Sequence, residues 1–115
     1  VKLLTLGRHF RLTGPCTIVV GRDQDENGRL EKLARDGDTL LELFGIPGPL
    51  TLVRGAPAPA DIKLAAGVTA RYSKARDRDR VAVRAFDNDR NTVADLEVAP
   101  VTNDVCRPLM IRPDK

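Results

Sequence analysis

Tryptophan is absent from the 115-residue chain, and the other aromatic side chains are only Phe10, Phe44, Tyr72 and Phe86. Readers of single-stranded nucleic acid stack bases on aromatic platforms, so that mode of recognition is poorly served here. Histidine occurs once, at His9, and cysteine twice, at Cys16 and Cys106. Two cysteines without a Cys-x-x-Cys pair are too few for a disulfide scaffold, and with one histidine they assemble no zinc cluster by spacing. A reducing, cytoplasmic compartment is the economical reading, with one long-range disulfide as the alternative. The longest apolar runs, such as Thr17 to Val20 and Leu50 to Val53, fall far short of the roughly 18 residues of a spanning helix, and no signal peptide opens the chain. No membrane partner is expected.

Residues that could carry chemistry are equally sparse. His9, between Arg8 and Phe10, advertises no partner for general-base work, so a structural or polyanion-contacting role is favoured. Ser73 has no nearby base, which favours a helix-ending role over that of a nucleophile. Gly21-Arg22-Asp23 leads into a helix start that could hold an anion, but it lacks P-loop or dinucleotide glycine spacing. No catalytic residue, metal site or cofactor is therefore expected.

What the chain does have is enough apolar residue, 42% against 30% charged, to fold as one domain over residues 1–115. Its first residue is Val1 rather than Met, so it is expected to be the C-terminal part of a longer polypeptide. The net charge of +3 is unevenly spread. Val1 to Val53 carries seven basic and seven acidic residues, Arg54 to Arg84 eight and three, and Ala85 to Lys115 four and six. Fourteen of the nineteen basic residues are Arg, whose planar fork pairs bidentately with phosphate. The cationic middle fits either a nucleic-acid partner or a solvated face.

Lys2 to Leu6 and Cys16 to Val20 read as strands joined by a turn. Asp23 as N-cap with Glu26 three residues on opens a first helix that runs toward Gly37. Thr39 to Phe44 and Leu50 to Val53 read as strands around the stiff turn Gly45 to Pro49. A second helix spans about Ala60 to Lys74, followed by strands at Val81 to Phe86, Thr92 to Val98 and Leu109 to Arg112. Paired strands with short turns predict an α+β fold: a small mixed, largely antiparallel sheet with two main helices.

The second helix is amphipathic. Ile62, Leu64, Ala65, Val68 and Tyr72 share one face, whereas Lys63, Arg71 and Lys74 share the other with Gly67 and Ala70 between them. The small residues would let an extended polyanion approach closely, a phosphate track. In an extended segment Lys74, Arg76, Arg78 and Arg80 would continue that track, with Asp77 and Asp79 on the opposite side. Arg8, His9, Arg22, Lys63, Arg71, Lys74, Arg76 and Arg78 are thus the candidate contacts for a polyanion.

Ile18-Val19-Val20-Gly21-Arg22-Asp23, Glu26-Asn27, Leu30, Gly37-Asp38, Ile46-Pro47-Gly48-Pro49, Ala65-Ala66, Arg71-Tyr72-Ser73-Lys74-Ala75-Arg76 and Val81-Ala82-Val83 together resemble the RNA-binding domain of the NFACT family. The likeness covers about Cys16 to Ala85. Leu40 stands where that family has Trp, Glu42 where it has His, and Pro49 and Leu50 where it has Ser-His. Gly7-Arg8-His9-Phe10 ahead of the first motif is similar to the branch found behind PP-loop ATPase domains of tRNA-thiolation type, labelled tRNA (5-methylaminomethyl-2-thiouridylate)-methyltransferases. The resemblance implies an RNA partner, tRNA, and an upstream PP-loop ATPase domain in the same polypeptide. This chain would then be an accessory domain that presents tRNA. It has no Ser-Gly-Gly-x-Asp-Ser ATP motif, so catalysis would belong to the upstream part. A direct catalytic share in nucleotide modification and a protein-interaction module are the alternatives.

Overall fold

The computed structural model describes residues 7–12, 16–55 and 57–111. Among them the chain forms β1 (Arg8–Arg11), β2 (Thr17–Val20), α1 (Gln24–Leu33), β3 (Thr39–Leu43), β4 (Thr51–Arg54), α2 (Pro59–Arg71), β5 (Val81–Phe86), β6 (Thr92–Val98) and α3 (Asn103–Leu109). The strands make one sheet in the order β1-β2-β4-β3-β5-β6, and every neighbouring pair is antiparallel. This is the α+β class read from the sequence, with an antiparallel sheet and a third helix. No helix among the described residues is long and apolar enough to cross a membrane.

Burial follows strand position. β2, β3 and β4 are apolar on both sides because the sheet is covered twice. On one face Phe10, Ile18, Val20, Leu41 and Val53 pack with Val81 and Val83 against Ala65, Ala66, Val68 and Ala70 of α2. On the other, Val19, Leu40, Leu50, Leu52 and Phe86 pack beneath Leu30 of α1. β5 alternates, with Val81 and Val83 buried and Ala82 exposed, so its second face is open except at Phe86, which packs beneath α1. Thr51 and Thr69 join β4 to α2 inside the first core through hydroxyls 2.6 Å apart.

The sequence reading needs four corrections. The strand expected at Lys2 to Leu6 lies outside the described residues, and the segment after it, Arg8–Arg11, is itself a strand paired with β2. α1 stops at Leu33, short of Gly37, because Asp38 folds back to accept from the Arg35 N–H. Lys74 to Arg80 is not extended. Ser73 Oγ donates to the Ala70 carbonyl and accepts from the Ala75 N–H, and the Arg78 N–H reaches the Ala75 carbonyl. The resulting turns break the period-two alternation, so Lys74, Arg76, Arg78 and Arg80 do not share a strand face. Finally, Leu109 ends a helix rather than starting a strand, and only Met110 bridges to Phe10.

Candidate nucleic-acid interface

A cleft of about 490 Å³ opens where four chain segments meet. Arg8 enters from β1, Gly21 to Gln24 and Asn27 from the β2–α1 turn, and Tyr72 to Lys74 from the end of α2, with Pro47 to Pro49 as the remaining wall. The walls are held by specific contacts. Asp23 caps α1 by accepting from the Glu26 N–H at 2.8 Å, as the capping motif predicts. Asn27 accepts from the Leu50 N–H at 3.0 Å and so ties the 45–49 turn to α1. A Cβ on Gly21 would stand 2.1 Å from Asn27 Oδ1, so only glycine allows this close approach.

Tyr72 organises the basic side of the cleft. The Arg8 guanidinium lies 4.6 Å from the Tyr72 ring centroid, and the Phe10 ring packs at 5.8 Å. Stacking of this kind fixes the plane of the Arg8 fork while leaving its N–H donors at the rim for an anion. Burial, then the Cys106 thiol at 3.6 Å, push the Tyr72 hydroxyl above its ordinary range, against the opposing pull of Arg8 and Arg71. Tyr72 therefore stays neutral beside the cations.

Ion pairing separates two kinds of cation. Arg22, Arg29, Arg54, Arg84 and Arg90 each hold a carboxylate, at Glu26, Asp25, Asp38, Asp95, and Glu31 with Glu42. Among the described residues, Arg8, Arg11, Lys32, Arg35, Lys63, Arg71, Lys74, Arg76, Arg78, Arg80 and Arg107 form no ion pair, and of these Arg8 and Lys74 line the cleft. Charge that no carboxylate offsets is charge available to a polyanion.

The candidate residues of the sequence are thus distributed unequally. Arg8, Arg22 and Lys74 line the cleft together. Arg22 gives its fork to Glu26, with contacts of 2.8 and 3.1 Å, and in turn holds the Glu26 carboxyl down to about 2. Arg71 hydrogen-bonds Asn103. Arg76 and Arg78 are exposed on the turns beyond. His9 sits on β1 opposite Val19, and its carbonyl accepts from the Ile111 N–H. Lys63 is elsewhere, in a separate groove with Ala60, Leu64 and Val101. The close-approach face proposed for α2 does not exist: Gly67 and Ala70 are buried, and a Cβ on Gly67 would meet Val101 Cγ1 at 2.8 Å. Asn103 and Arg107, which line a neighbouring cleft, lie on a helix that the sequence reading did not foresee.

Of the positions that depart from the resembled motif, Pro49 lines the cleft and the other three lie to one side. Leu40 and Leu50 are core residues beneath α1. Glu42 shares Arg90 with Glu31 across an adjacent cleft of about 310 Å³, where the guanidinium also lies 4.3 Å from the Phe86 centroid. With two carboxylates to one guanidinium, that cleft is net acidic.

The family model described as the NFACT protein RNA binding domain matches residues 7–108. The chain belongs to the NFACT RNA-binding domain family. Among solved structures it is similar to the C-terminal part of the fibronectin/fibrinogen-binding protein from Streptococcus suis, with TM-score 0.82 and 24% identity. The superposition covers 92% of this chain and 50% of that one, so the chain spans half of that structure, and the likeness is one of fold. No curated protein matches the sequence. The NFACT match extends beyond the residues that first carried the resemblance, at one end to β1 and at the other into α3.

Proposed function

We propose that this NFACT domain binds folded RNA, of the transfer-RNA class, at the cleft beside Tyr72, and that it serves as the accessory part of a cytoplasmic tRNA-modifying enzyme whose PP-loop ATPase domain lies upstream in the same polypeptide. The observation that carries the binding site is the convergence on one cleft of Arg8, from β1, and Lys74, just past α2, two cations without carboxylate partners among the described residues. Residues 66 apart in sequence meet there because Tyr72, just past the end of α2, packs on Arg8 and Phe10 of β1. Scarce aromatics favour recognition by shape, through phosphate and 2′-hydroxyl contacts, over base stacking. The tRNA class and the upstream ATPase rest on the Gly7-Arg8-His9-Phe10 likeness.

The test compares the 115-residue chain's affinity for folded tRNA with its affinity for an unstructured single strand of equal length. Tighter binding of the tRNA, weakened about tenfold or more in Arg8→Ala with Lys74→Ala, supports the reading. Equal affinity for both RNAs, or no RNA binding, overturns it.

A further inference from the structure

A second cleft, of about 250 Å³, lies on the other side of Tyr72 and is lined by Asn103, Cys106, Arg107 and Met110. Tyr72 is the wall common to both clefts. α3 and the two residues after it are fixed at three points. Cys106 is buried against the Tyr72 hydroxyl, Met110 bridges to Phe10, and the Ile111 N–H donates to the His9 carbonyl at 2.8 Å. β1, which carries Arg8, therefore holds the C-terminal end of α3.

Asn103 and Arg107 are four residues apart on α3 and share a face, whereas Asp104 and Val105 turn away from it. Asn103 is already engaged with Arg71 of α2, which sets that guanidinium at the mouth of the second cleft. The Arg8 guanidinium lies over the Tyr72 ring, and Arg71, the residue before Tyr72 in the chain, also acts on its hydroxyl. Among the described residues neither Arg71 nor Arg107 is offset by a carboxylate.

The alternative route for a bound strand runs along α2 toward Lys63, about 12 Å of helix rise from Arg71. It is obstructed. Val101 and the Ala99 carbonyl lie over Gly67, and the Val101 N–H donates to the Gly67 carbonyl, so the helix flank between the two cations is covered by chain.

We propose that an RNA strand held at Arg8 and Lys74 passes over Tyr72 into the second cleft, where Arg107 and Arg71 take a further phosphate, and that Lys63 lies off this path. The inference rests on the binding mode proposed above and extends it to the C-terminal helix. Arg107 is exposed, so its removal leaves the fold intact.

The test measures tRNA affinity and melting temperature for the parent chain, Arg107→Ala, Arg107→Glu, Lys63→Ala, and Arg8→Ala with Lys74→Ala. Expected are a weakening of roughly three- to tenfold in Arg107→Ala, a larger one in Arg107→Glu, and parental affinity in Lys63→Ala, all at unchanged melting temperature. If both Arg107 variants bind as the parent does while the Arg8 and Lys74 variant is weakened, the extension is overturned and the primary site stands. Weakening by Lys63→Ala equal to that of Arg107→Ala would overturn the path. If the Arg8 and Lys74 variant also binds as the parent does, the binding mode itself is wrong.

Discussion

Thr51 and Thr69 illustrate how a single hydroxyl proton fixes an arrangement. Thr69 Oγ1 donates its only proton to the Ala65 carbonyl at 2.8 Å, so across the 2.6 Å contact Thr51 must be the donor. Both residues are fully buried. Thr69→Val leaves the Thr51 hydroxyl without its acceptor and should cost about 1–3 kcal/mol, whereas valine at both positions should recover most of the loss. Urea unfolding of the two variants decides it, and a double variant less stable than Thr69→Val would refute the assignment. A second residue-scale consequence concerns acid. Glu26 is held down to about 2 by the Arg22 side chain and by the Arg22 and Gly7 N–H groups, from an ordinary 4.5. Burial opposes ionisation of Asp38, yet Arg54 and the Arg35 N–H leave its pKa below the ordinary value. A depressed carboxyl pKa stabilises the fold above the unfolded value and ceases to do so as pH falls through the folded one. The urea midpoint should therefore fall from about pH 4.5 toward about pH 2. Glu26→Gln keeps a capping side chain but removes the charge, so it should show a smaller acid loss; an unchanged acid limb would contradict the Arg22 pairing.

At the scale of elements, legibility tracks how local the determining signal is. α1 could be placed because Asp23, Glu26 and Leu30 state its cap and apolar side within eight residues. β3, β4 and β5 were readable from apolar runs between turn residues. α3 was not: Asn103-Asp104-Val105-Cys106-Arg107-Pro108-Leu109 is short, includes a proline and buries only Cys106, so contacts with Tyr72 and β1 decide it. The track along α2 failed for a related reason. Periodicity shows which residues share a face but not that the 99–101 segment covers Gly67. The link between α1 and the 45–49 turn is equally non-local and can be tested. Asn27→Ala removes the acceptor of the Leu50 N–H and should cost about 1–3 kcal/mol. Gly21→Ala should also destabilise through its clash with Asn27, and the two losses should be non-additive, since removing Asn27 makes room for the new methyl. Strict additivity in a double-mutant cycle would sink this account of the cleft wall.

For the whole molecule, the decisive property is where charge is left uncompensated. Arg84 with Asp95, and Arg90 with Glu31 and Glu42, offset cations near β3, β5 and β6. Arg8, Arg71, Lys74 and Arg107 gather around Tyr72 without such partners among the described residues. The sequence showed that the middle of the chain is cationic, but the fold selects from it, joining Lys74 to Arg8 and leaving Lys63 apart. RNA bound there should release counterions in proportion to the phosphates contacted. The most direct measurement is tRNA affinity across a salt series for the parent chain and for Arg8→Ala with Lys74→Ala. Log affinity is predicted to fall linearly with log salt in both, the variant's slope being shallower by roughly one unit for each of the two lost contacts; parallel lines with equal affinity would contradict the Tyr72 cleft as the RNA site.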